Sequence, residues 1–132
     1  LVHGMSRPIG AFFHVPHGLS NAMLLPAVTE FSIPAAPERY AECARALGVA
    51  DVHDGDAVAN SRLIRFLKDL NQELQVPSLA EFGAEHAEFE KLLVTMCEQA
   101  FASGSPSNNP RVPNLEEMLV LYRSLWATVT SH

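Results

Sequence analysis

An all-α protein, a bundle of about six or seven helices, is what this sequence predicts. Three observations lead there. Apolar residues recur at helical spacing in one segment after another. Nowhere do apolar and polar residues alternate with the period of two that a half-buried strand requires. No glycine-rich strand-to-helix turn that could cradle a pyrophosphate occurs either.

The elements follow in order. Residues 1–13 are apolar but interrupted by Gly4, Pro8 and Gly10. Pro16 breaks the chain, because proline cannot continue a helix interior. Residues 19–31 place Ala22, Leu25 and Val28 near one face, and Pro26 should kink or loosen that stretch. Residues 38–47 carry Tyr40, Cys43, Ala44 and Leu47 at helical spacing, with Gly48 as a stop. A polar loop over 51–56 contains the turn pair Asp54-Gly55. Residues 57–74 form the clearest helix, with Leu63, Phe66, Leu67, Leu70 and Leu74 in one stripe. Ser78 and Glu81 make a capping box for a short turn ending at Gly83. Residues 85–102 carry Phe89, Leu92, Leu93, Met96 and Ala100 on one face. After a polar loop over 103–113, Asn114 caps a last helix that points Leu115, Met118, Leu119, Tyr122, Leu125 and Trp126 inward.

Composition narrows the function classes. The 132 residues suffice for one domain, 1–132, with its own core. A net charge of −6 argues against a nucleic-acid partner, since a phosphate backbone needs a basic face. No apolar run approaches the roughly 20 residues of a membrane span, so no membrane partner is expected. Cys43 and Cys97 both fall in helical patterns and read as buried, reduced thiols of a cytoplasmic protein. All 15 acids lie at or after Glu30, and the only formal charge before it is Arg7. An apolar opening of this kind, without an initial methionine, leads us to expect further sequence upstream that covers it.

His3, His14 and His17 fall within this acid-free opening. His14 and His17 have the spacing of two ligands on one helical face, but Pro16 stands between them. His3 and His17 are 14 residues apart, about 21 Å along a straight helix, too far to share a metal unless the chain turns. Pro16 with Gly18 supplies a turn. Half-buried histidines satisfied by backbone groups are the competing reading. An iron site also usually takes a carboxylate, which these residues lack.

The pieces His3-Gly4-Met5, Pro8-Ile9-Gly10-Ala11, Pro16-His17-Gly18, Asn21-Ala22 and Leu24-Leu25-Pro26 resemble the signature region of the iron-containing alcohol dehydrogenase family. Weaker similarity continues through Asn109-Pro110-Arg111 to Tyr122. The resemblance implies the helical C-terminal domain of the dehydroquinate synthase-like fold. It implies that His3 and His17 are metal ligands, and that an aspartate and a histidine upstream complete the set. It also implies that the cofactor-binding domain is absent from this chain. The cofactors would be iron(II), with zinc as the other candidate, and NAD or NADP. The reaction would be hydride transfer between an alcohol or aldehyde substrate and the nicotinamide, in an enzyme expected to be a homo-oligomer.

One departure concerns position 7, where many members have a histidine near the nicotinamide that is proposed to help move the proton. Arg7 stays protonated and cannot play that part near neutral pH. It could hold a substrate carboxylate, a backbone carbonyl or a cofactor phosphate. His14 could line the same pocket or be merely structural. Arg111 reads as a salt-bridge partner, and the acids over 85–90 as a solvated helix face. Two alternatives stand beside the dehydrogenase: a non-catalytic helical module, or part of a sibling zinc enzyme such as a glycerol dehydrogenase.

Overall fold

The computed structural model describes residues 1–104 and 109–126. Among the described residues it has seven α-helices and no strand. They are α1 (Val2–Phe13), α2 (His17–Ser32), α3 (Pro37–Ala46), α4 (Asp56–Glu73), α5 (Leu79–Phe82), α6 (His86–Ala102) and α7 (Leu115–Arg123), with a 3-10 turn (Ile33–Ala35) between α2 and α3. The helical reading of the sequence holds, and most boundaries agree within two residues.

Pro16 separates α1 from α2 as expected, but Pro8 and Pro26 behave differently from expectation. Helix α1 runs unbroken through Gly4, Pro8 and Gly10, and α2 runs unbroken through Pro26. A proline leaves the carbonyl four residues earlier without its helical donor. For Pro26 that carbonyl belongs to Ala22. Asn71 of α4 donates to it through Nδ2 at 2.7 Å, so a neighbouring helix replaces the missing bond. Pro26 itself is buried.

Two apolar clusters hold the bundle together. The larger joins α1, α2, α6 and α7 around Met5, Ile9, Leu24, Phe89, Met96 and Tyr122. The smaller joins α3 to α4 through Ala41, Ala44, Ala59 and Leu63. Helix α5 is tied to the end of α7 by its first two N–H groups: Leu79 donates to the Leu125 carbonyl at 2.9 Å and Ala80 to that of Trp126 at 3.1 Å. The expected capping box of Ser78 with Glu81 forms, and Asn114 caps α7 as expected, in a second box with Glu117.

Several face assignments need correction. Cys43 is exposed, because Ala41 and Ala44 are the residues α3 turns towards α4. Leu25 faces solvent, since α2 buries Ser20, Met23, Leu24 and Val28 instead. Leu74 caps α4 and is 66% exposed, and Leu115 opens α7 facing outward. Leu121, unremarked in the pattern, is buried. In each case the apolar stripe is wider than the face that a partner helix covers.

Candidate functional site

The acid-free opening folds into a helical hairpin. Helix α1 ends at Phe13, and His14 takes a left-handed conformation (φ 58°) while donating its N–H to the Gly10 carbonyl at 3.0 Å. Val15 is buried, and its carbonyl lies 3.3 Å from where a side chain on Gly10 would begin. Glycine at position 10 thus lets the turn close tightly over the end of α1. Pro16 precedes α2, which starts at His17. The reversal is therefore made by residues 14–16, and Gly18 sits inside α2 and has no part in the turn.

That reversal removes the objection of distance along one helix. An open groove of about 610 Å³ is lined by Gly4, Arg7 and Ala11 of α1, by His17 of α2, and by Gln99 and Ser103 at the end of α6. His3 precedes Gly4 in the first turn of α1, but its side chain lies outside the described residues. His17 is exposed on the groove, and Arg7 is exposed there too. His14 is exposed at the hairpin tip and does not line the groove. Gln99 and Ser103 were not singled out from the sequence. They lie more than 80 residues from His17, and nothing distinguishes them from other polar residues at a helix end.

The floor beneath α1 is anchored in the larger core. Tyr122 donates its hydroxyl to the Met5 carbonyl at 2.8 Å, fully buried, and burial raises its pKa. Burial also pushes the Cys97 thiol up to about 11, so it is a protonated core residue and not a nucleophile. The carbonyl that Tyr122 holds lies between the positions of Gly4 and Arg7, so this bond positions the groove wall. Arg111 is likewise structural: it meets Glu117 at 2.7 Å and the Phe31 carbonyl at 3.0 Å, and its guanidinium lies 4.1 Å from the Phe31 ring centre. It clamps the start of α7 to the end of α2.

The described residues do not by themselves complete a metal site. Among the described residues no group of three or more His, Cys, Asp or Glu is placed to hold a metal ion. No acid among the described residues lines the groove. Its donor chemistry, neutral imidazole nitrogen, suits iron or zinc, yet it would fill only part of a coordination sphere.

Comparisons with known proteins agree with the helical fold. Residues 1–126 match the family model described as Fe-containing alcohol dehydrogenase family, C-terminal. The NADPH-dependent butanol dehydrogenase of Clostridium saccharobutylicum is 33% identical over 127 residues, which cover 96% of this chain and 32% of that protein. Lactaldehyde reductase of Escherichia coli (strain K12) is 32% identical over the same shares. A crystal structure of a 1,3-propanediol oxidoreductase superposes with a TM-score of 0.85 at 28% identity, covering 95% of this chain and 32% of that one. The iron-containing alcohol dehydrogenase of Thermococcus thioreducens does so with a TM-score of 0.78 at 34% identity, covering 95% and 31%. The chain thus spans about a third of the length of the relatives it matches, and over that span it belongs to the Fe-containing alcohol dehydrogenase family.

Proposed function

We propose that this chain is the helical, metal-binding domain of an alcohol dehydrogenase, and that it works together with a cofactor-binding domain encoded before Leu1. The observation that carries the reading is the groove shared by the first turns of α1 and the start of α2, which holds His17 and the backbone next to His3. His3 and His17 would hold a divalent metal, iron(II) before zinc, with the remaining ligands from the other domain. When bound, that metal supplies Lewis acidity, polarising the alcohol oxygen and lowering its pKa. An oxidised nicotinamide, NAD or NADP, held by the other domain would supply the acceptor for the hydride of the alcohol carbon, and the hydroxyl proton would leave to solvent. The chain's own part is positioning. Tyr122 and the Pro8-containing α1 keep the groove wall rigid, and Gly10 lets the turn bring His17 back towards α1.

Small alcohols or aldehydes are the proposed substrates. The relatives named for butanol and lactaldehyde support that class. A cytoplasmic setting is supported by the two free thiols, and we propose a homo-oligomer. The isolated chain should act only as a helical module, because its described residues hold no three-donor cluster.

The test is metal content of the full-length enzyme. His17→Ala replaces an exposed side chain and should leave the circular dichroism spectrum unchanged. It should abolish stoichiometric metal measured by mass spectrometry after desalting. Full retention of metal in that variant sinks the assignment.

A further inference from the structure

We infer that Arg7 is the receptor for a carboxylate on the substrate, so that the preferred alcohols are short hydroxy acids. This rests on the dehydrogenase reading of the same groove. Four observations carry it. Among the described residues Arg7 is the only formally charged side chain lining the groove, and no acid lines it. Among the described residues Arg7 makes no hydrogen bond or ion pair, so its guanidinium is not engaged by a backbone carbonyl. Five of the six other arginines of this acid-rich chain are paired, Arg45 with Asp56, Arg62 with Asp54, Arg65 with Asp69, Arg111 with Glu117 and Arg123 with Glu90, and the sixth, Arg39, is on α3, away from the groove. The acid nearest to Arg7 in sequence is Glu30, and that side chain meets Lys68 on the α4 side of the bundle.

A guanidinium presents a planar fork of N–H donors that fits a carboxylate with two parallel bonds. Its place on the groove matters as much as its charge. Arg7 lies four residues, about one helical turn, beyond His3 in α1, and lines the groove together with His17. A substrate whose hydroxyl lay near the histidines would have its other end near Arg7. Substrates without a negative end would leave the cation solvated and gain nothing from it. A phosphate of the cofactor has the same chemistry, so the test must separate the two sources.

The experiment compares ω-hydroxy acids with n-alkanols of equal carbon number, three to six carbons, in the full-length enzyme and its Arg7→His and Arg7→Lys variants. The hydroxy acid should be favoured in kcat/KM, and Arg7→His should cut that preference at least about tenfold, the size of one charge-assisted hydrogen bond. Arg7→Lys should keep part of it. Calorimetry with saturated monocarboxylates of the same lengths gives a readout without turnover, and Arg7→His should weaken that binding at least about tenfold. An unchanged preference together with unchanged monocarboxylate binding overturns the inference. An unchanged preference with weakened NAD or NADP binding also overturns it, and assigns the arginine to a cofactor phosphate. Arg7-dependent monocarboxylate binding in a protein that oxidises neither class would support the anion site and overturn the dehydrogenase reading instead.

Discussion

The two apolar clusters are built on different physics. The larger one buries long and aromatic side chains from four helices, with Phe89, Met5, Ile9, Met96 and Tyr122 fully enclosed. The smaller one is mostly alanine and brings two helices close without much apolar surface. Polar links supplement it: Arg45 reaches Asp56 at 2.9 Å and the Asp54 carbonyl at 2.9 Å, and Asn60 reaches the Pro37 carbonyl at 2.9 Å. The groove lies on the first region. Side chains that share a groove keep their relative positions only as well as the packing beneath them, and a dense core resists displacement better than a solvated ion pair.

Five changes would break or sharpen that contrast. Phe89→Ala should have the largest effect, about 3–5 kcal/mol, because it removes a fully buried ring that packs on Phe13 and Trp126. Leu63→Ala in the small cluster should cost about 2 kcal/mol, near the low end for such truncations. Urea denaturation checks both, and hydrogen exchange locates them. The first should loosen α1, α2, α6 and α7, and the second chiefly α3 and α4. Equal loosening of α1 by both would show one core where we describe two.

Next comes Tyr122→Phe, at about 1–2 kcal/mol, since it deletes a buried hydrogen bond to the Met5 carbonyl. The same region should carry an alkaline dependence. Cys97 ordinarily titrates near 9 and is raised by burial to about 11. The folded state therefore holds that proton more tightly than the unfolded state. Its contribution is present below about pH 9 and is lost as pH rises through about 11. Tyr122, also raised by burial, acts in the same direction at higher pH. Cys97→Ala should flatten the fall in urea midpoint across that window, and an unchanged slope would remove Cys97 as its source.

Arg45→Ala should be the mildest, below about 1 kcal/mol, because the pair it breaks with Asp56 is partly exposed. Added salt should mimic it in the parent protein and do little in the variant. A loss as large as that of Leu63→Ala would mean that the ion pair, and not the alanine contact, holds α3 to α4.

Local chemistry was readable wherever the chain needs only its near neighbours. Ser78 and Asn114 cap their helices as their spacing to Glu81 and Glu117 predicts. Gly48 follows α3 with φ 78°, a conformation that glycine adopts without strain. The helical periods of residues 57–74 and 85–102 became α4 and α6 almost to the residue. The signature pieces around His3 and His17 marked the family, because they are short and contiguous.

What required the folded chain were relations between distant residues. A proline inside a helix reads as a break until Asn71 is found donating to the carbonyl it orphans, that of Ala22, 49 residues from Asn71. An amphipathic stripe does not say how much of it a partner covers, so Leu25, Leu74 and Cys43 turned outward while Leu121 turned in. The groove brings Gln99 and Ser103 beside Arg7 and His17 through packing of α6 on α1, a contact no spacing encodes. Helix formation is decided by hydrogen bonds four residues apart, and those are written in local sequence. Burial, and the partner of each polar group, are decided by which helix lies opposite, and only the packed chain settles that.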